Sequence, residues 1–265
     1  MNYYSLTNKT FMLKYFKILL ILISLQSLAE AQTFGFGCLG FVGGYGGFTY
    51  QQYDAAGLND YISFKNELES TIDPVDEFKS ATGYRFGLNF FRATFENGII
   101  VTAKGYYQYL SEKNKGTVGV GVNNDNYSMD LTFKNWSIGF DVGWQFTNVV
   151  SWKILDGSLN FNNATLTETT DLPGETIVNK YKSDSGVIGY SIGTGIIVAI
   201  IKDYVSVEGL VGYTYLVVDN VYDENGTPFL NPVQIPEQAI WTESKFIESG
   251  GFSAVVQLNV GFPLL

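Results

Sequence analysis

The chain contains no histidine, a single cysteine, six prolines and no stretch approaching a membrane helix beyond its first 31 residues. Each shortage excludes something. Without histidine, a serine or cysteine nucleophile has no side chain whose pKa naturally lies near neutrality to activate it, and metal sites are restricted to oxygen ligands suited to calcium or magnesium. With Cys38 alone no internal disulfide can form, so the fold must hold without staples. Charged residues are also scarce, at 16% against the roughly 25% usual for a soluble domain. Something other than water is therefore expected to cover much of the surface. The net charge of −10 and the lack of any run of lysine and arginine argue against a nucleic-acid partner, because phosphate binding needs clustered cations.

What is present in excess is glycine and aromatic side chains: 29 Gly, 20 Phe and 18 Tyr. That mixture favours strands over helices. At the N-terminus, Lys14 and Lys17 precede Ile18-Leu19-Leu20-Ile21-Leu22-Ile23-Ser24-Leu25, and Ala29-Glu30-Ala31 follows. A basic start, a short apolar run and small residues before the cut predict a secretory signal peptide over 1–31, with cleavage before Gln32. Met12 stands where a signal peptide of ordinary shape would begin, so it is a candidate initiator. Cleavage leaves 13 basic and 25 acidic residues over 32–265.

The mature chain alternates. At its end, Phe252, Ala254, Val256, Leu258, Val260 and Phe262 share one parity, while Ser253, Gln257, Asn259 and Gly261 share the other. The same pattern recurs around 84–90, 99–109, 136–146, 187–200 and 204–217, with a Gly-rich first strand over 33–50 and a weaker one near 152–168. Segments of about 10 residues with this periodicity, separated alternately by short and long connections, are the signature of a transmembrane β-barrel. The predicted fold is all-β: an eight-stranded antiparallel barrel with short periplasmic turns at 96–98, 147–151 and 202–203. Long extracellular loops are expected at 51–82, 112–126, 169–182 and 219–247. Asp156-Gly157 is a competing hairpin signal for the fourth turn. Leu58, Tyr61, Ile62, Phe64, Lys65 and Leu68 have helical spacing in the first loop, and Pro228, Pro232 and Pro236 exclude a regular strand from the last.

The signal peptide, the Gly- and aromatic-rich first strand, the loop alternation and the terminal Leu258-Asn259-Val260-Gly261-Phe262 resemble the small outer-membrane β-barrel proteins of the OmpA- and OmpX-like superfamily. The resemblance implies an address in a Gram-negative outer membrane, insertion by the barrel-assembly machinery and contact with outer-membrane lipids. Members usually end on an aromatic residue; here Phe262 is followed by Pro263-Leu264-Leu265. No length remains after the last strand for the peptidoglycan-binding domain that some members carry. Enzymes on similar barrels use a histidine base, so an enzyme is not expected. The functional expectation is a structural or interaction barrel acting through its outer loops, whose ligand the sequence does not name. The alternatives are a narrow channel for small solutes and a soluble secreted β-sandwich.

Neither a cofactor nor a metal centre is expected. Asn123-Asn124-Asp125-Asn126 and Asp219, Asp223 and Glu224 could meet calcium only as solvated loop tips, since the spacing of a 12-residue calcium loop is absent. The Gly-x-Gly runs of 35–47 lack the following helix of a nucleotide-binding turn. Inward parity groups Lys104, Asp141 and Glu208 at one depth, with Asn89 and Gln257 beside them, as a polar plug with the lysine between two acids. Outward parity places Trp136, Trp144, Tyr107, Tyr190, Tyr213 and Tyr215 against lipid, where amphipathic rings favour the interfaces.

Overall fold

The computed structural model describes residues 32–33, 43–68, 71–120, 123–184, 186–202, 204–230 and 244–261. The signal segment, Cys38, Pro232, Pro236 and the last four residues lie outside them. Eight long strands form the wall: β1 Gly43–Asp54, β2 Ser80–Thr94, β3 Ile99–Val120, β4 Asn123–Gln145, β5 Val150–Leu172, β6 Val187–Ile201, β7 Val205–Tyr215 and β8 Ser249–Gly261. Each pairs antiparallel with its sequence neighbours, and β8 returns to β1 with Leu258 opposite Gly46, so the sheet closes and leaves no two-sheet sandwich. Closure removes the unpaired edges that an open sheet would present.

Short connections gather at one end. The β2–β3 turn uses Gly98 at φ 80°, a left-handed conformation that suits glycine, and Gly98 N–H donates to Phe95 O at 2.9 Å. The β4–β5 turn lies at 146–149, where the Thr147 hydroxyl accepts from the N–H groups of Val149 and Val150 at 3.2 and 3.0 Å. The competing hairpin signal at Asp156-Gly157 is not used. Asp156 points into the barrel between two lysines, and the chain passes it with a bulge between Lys153 and Asp156.

Two of the expected long loops prove to be strand. The polar stretch 112–126 continues β3 and β4 in register from Ser111↔Thr132 to Thr117↔Asn126, and 169–182 belongs to β5 and to an outer strand, Glu175–Ser183. They read as loops because their outward residues are polar, and the apolar inward residues lie on the adjoining parts of the same strands. On β4 the inward series Tyr127, Met129, Leu131 and Phe133 is buried, and the outward series Asp130, Thr132 and Lys134 is polar. Below Phe133 the assignment reverses without any break in parity. Asn135, Ser137 and Asp141 face inward, while Trp136, Ile138, Phe140 and Trp144 are exposed. The same reversal falls between Gln108 and Leu110 on β3 and between Asn162 and Ala164 on β5.

The molecule thus has two storeys. The lower one is apolar outside and polar inside; the upper one has an ordinary hydrophobic core. That core joins Leu58 and Ile62 of helix α1 (Ala56–Leu68) to Phe78, Leu110, Leu131, Phe133 and Leu166, and to Leu216, Val218, Phe246 and Ile247. The helix occupies the place its spacing predicts. Asn59 and Asn66 fasten it to the segment that follows, Asn59 by a reciprocal pair with the backbone of Phe78 at 2.9 and 2.8 Å, Asn66 likewise with Val75 at 3.0 and 3.1 Å. The upper storey fills the end of the barrel opposite the short turns.

Candidate functional site inside the barrel

Register brings the charged residues of the lower storey to one depth. Thr102 lies opposite Asp141, Asp141 opposite Asp156, and Lys104 opposite Gly139, whose lack of a side chain leaves room inside the wall. Two carboxylates directly across adjacent strands would repel. Lysines relieve this. Lys104 reaches Asp141 at 3.6 Å and is hydrogen-bonded to Asp156; Lys153 reaches Asp141 at 3.1 Å and Asp156 at 3.4 Å and is also paired with Glu208. Glu208 further accepts from Gln257 at 3.3 Å and Asn259 at 3.2 Å. Two inward steps up, Arg85 donates to Gln108 Oε1 through Nε at 2.9 Å and Nη2 at 2.7 Å, and lies 4.1 Å from the centroid of Tyr106. With Arg85 counted, three cations balance the three carboxylates.

A chain of hydroxyls and amides crosses the lumen at the level of Tyr106. Its hydroxyl meets Ser158 at 2.8 Å; Ser137 donates to Asn160 at 2.8 Å, Asn160 to Ser191 at 2.7 Å, and Ser191 meets Thr214 at 3.0 Å. Among the described residues, the lumen holds a cavity of about 50 Å³ lined by Tyr45, Asn89, Lys104, Asp141, Glu208 and Gln257, among others. Such a volume has room for a few waters.

Among the five residues assigned by parity to one polar layer, Lys104, Asp141, Glu208 and Gln257 are buried in the lumen, and Asn89 is half-buried opposite Lys104. The pairing differs from the expectation in one respect: the partners of Lys104 are Asp141 and Asp156, and Glu208 belongs to Lys153. Sequence reasoning missed Lys153, Asp156 and Arg85. Arg85 could have been read from the clean alternation of 84–90. Lys153 and Asp156 were hidden because the bulge between them shifts parity. Of the aromatics assigned outward, Trp136, Trp144, Tyr190, Tyr213 and Tyr215 are exposed, and Tyr107 is half-exposed with its ring 5.1 Å from Trp136.

The upper storey contains ionisable groups of its own. Glu168 accepts from the hydroxyls of Tyr127 and, at 3.3 Å, Tyr61; Glu112 accepts from Tyr53 and from the N–H of Ser80 at 2.8 Å. Burial, and then the neighbouring carboxylate, holds the Tyr127 and Tyr61 hydroxyls well above the usual tyrosine range. Two of the acids in the candidate calcium stretches have partners. Asn124 to Asn126 form part of β4, Asp219 pairs with Lys245 at 3.2 Å, and Asp223 accepts from the N–H groups of Asn225 and Thr227 at 2.8 and 2.7 Å.

No protein-family profile and no curated protein matches the chain. Solved structures with a similar path include the attachment invasion locus protein Ail of Yersinia pestis (12% identity, 83% of this chain and 97% of that one, TM-score 0.36). The outer membrane protease OmpT of Escherichia coli has 12% identity over 84% of this chain and 94% of its own, with a TM-score of 0.41. Neisserial surface protein A has 14% identity over 83% and 96%, with a TM-score of 0.33. Likenesses this distant assign no residue a role, and the reading below rests on the barrel's own geometry.

Proposed function

We propose that this chain is a non-enzymatic outer-membrane barrel that does not conduct solutes and serves to hold a folded head at the cell surface, where the head interacts with other molecules. One observation carries the reading: the reversal of inside and outside polarity along the unbroken strands β3, β4 and β5 between Phe133 and Asn135 and at the matching positions. A change of surroundings from water to hydrocarbon part-way along the strand accounts for such a reversal. From Trp136 to Trp144 the outward apolar series runs about 26 Å along the strand at ~3.3 Å per residue, or about 20 Å along the normal at a tilt near 40°. That agrees with an apolar band of about 25 Å bounded by aromatic girdles.

A closed head above and a filled lumen below favour an anchor over a channel, and the absence of histidine favours binding over catalysis. On this reading the signal segment is cut before Gln32, the assembly machinery inserts the barrel, and the partners are outer-membrane lipids below and an unidentified molecule above. The test is refolding of residues 32–265 into phospholipid vesicles. A heat-modifiable band on gels, protease protection of the belt and a silent planar-bilayer record are expected. Steady unitary conductance would overturn the anchor reading, and a protein that stays in solution without detergent would overturn the membrane reading altogether.

A further inference from the structure

Lysines scattered through the sequence converge on one outer face of the upper storey. Above Trp136 the outward parity of β4 continues as Lys134, Thr132, Asp130 and Ser128. Beside it, β3 presents Ser111, Lys113 and Lys115; on the other side, β5 presents Asn163, Thr165 and Thr167, and the outer strand Glu175–Ser183 presents Lys180 and Lys182. All five lysines are exposed, and among the described residues none of them forms an ion pair. The only carboxylate among these positions, Asp130, is engaged by the hydroxyls of Ser111 at 2.8 Å and Thr132 at 3.2 Å.

With strands ~4.8 Å apart and alternate residues ~6.8 Å apart, the lysines cover about 15 by 20 Å, beginning one outward step above the aromatic girdle. That is the level of lipid headgroups. A chain of net charge −10 has thus gathered five unpaired cations, interleaved with serine, threonine and asparagine, where its wall leaves the hydrocarbon. The corresponding positions on β1 and β2, Gln52 and Thr82, carry no charge. Ammonium groups act as compact point charges for phosphate, and hydroxyls and amides supply additional hydrogen bonds.

We propose that this face binds the phosphate-bearing headgroups of anionic lipids in the leaflet below the head, fixing the barrel's rotation and depth and holding lipid on one side of it. The proposal rests on the membrane reading above. Attraction to an anionic surface amounts to roughly fivefold in affinity for each lysine engaged at low salt, and it decays within a Debye length.

The test uses the refolded mature chain in phosphatidylcholine vesicles carrying trace spin-labelled phosphatidylcholine or spin-labelled phosphatidylglycerol. The fraction of each label immobilised by the protein is read by electron spin resonance. The native chain should select the anionic label by about threefold or more, less at high salt. Lys113→Gln, Lys115→Gln, Lys134→Gln, Lys180→Gln and Lys182→Gln combined should abolish the selectivity, while the five Arg substitutions preserve it; the heat-modifiable band confirms that each variant is folded. Equal immobilisation of both labels by the native chain overturns the proposal while leaving the membrane reading intact. Failure to immobilise either label overturns the membrane reading. A further arm adds heparin or inorganic phosphate to the micelle-held protein: lysine-dependent heparin binding without lipid selectivity would make the face a receptor for a soluble polyanion and would also overturn the proposal.

Discussion

Lys153→Met should be the most damaging single change in the barrel interior. Among the described residues Lys153 alone touches all three lumenal carboxylates, at 3.1 Å from Asp141, 3.4 Å from Asp156 and in a direct pair with Glu208, and its side chain is 4% exposed. Methionine conserves the length and apolar contacts while deleting the charge. Glu208 is then left with the two neutral amides of Gln257 and Asn259, and Asp141 and Asp156 face each other across adjacent strands with Lys104 alone between them. Removing one partner from a buried ion cluster costs about 3 to 5 kcal/mol, because an uncompensated charge remains in a poorly hydrated site. Lys104→Met should cost less, about 1 to 3 kcal/mol, since both of its acids keep Lys153 within ion-pair distance. Combining Lys153→Met with Glu208→Gln should recover part of the loss, giving a coupling of 0.5 kcal/mol or more by the usual ~0.5–3 kcal/mol range for contacting residues. Urea unfolding of the vesicle-inserted barrel, followed by the heat-modifiable band, provides the free energies. A cost below about 1 kcal/mol for Lys153→Met would mean that the lumen is wet enough to screen the cluster like a surface pair, and the dry-plug reasoning would fail.

Trp136 and Trp144 lie at opposite ends of the apolar series on β4, so brominated lipids should quench fluorescence with a depth profile that loses its upper component in Trp136→Phe; insensitivity to bromine position would refute the placement. Phe133→Ala, in the head's core, should destabilise the head by about 3 to 5 kcal/mol and open it to proteolysis while the belt keeps its heat-modifiable band; joint loss of both storeys would show that they unfold as one. The buried hydroxyls of Tyr127 and Tyr61 have pKa values raised above the unfolded tyrosine value of about 10. Their neutral form is therefore favoured by folding, so this contribution is fully present below pH ~10 and is lost as pH climbs from there towards the folded values. Ultraviolet titration should show these tyrosines ionising only with unfolding of the head, and early reversible ionisation would contradict their burial.

Much of this protein is legible in its sequence. Alternation of apolar and small residues identified six of the eight strands of the lower storey, because in a wall apolar on one face and polar on the other the sign of each side chain is dictated by parity; the Gly-rich first strand and the one near 152–168 alternate weakly. Helix α1 was legible from the spacing of Leu58, Tyr61, Ile62 and Leu68. The upper storey hides its strands where outward residues turn polar, since a rule that seeks apolar residues on the outer face finds none there: Lys113 and Lys115 read as loop because they are outward and polar. Tertiary structure also decided which charges meet. Lys153 and Asp156 lie either side of a bulge, so counting by twos sends one of them to the wrong face, and only the pairing of β5 with β4 and β6 brings both to Asp141. The basic face has the same cause. Lys113, Lys134 and Lys180 are far apart in sequence, and no local pattern relates them; antiparallel register across four strands sets them side by side. Parity is a local property that the chain carries in its sequence, whereas the lateral neighbours of a residue exist only once the strands are aligned.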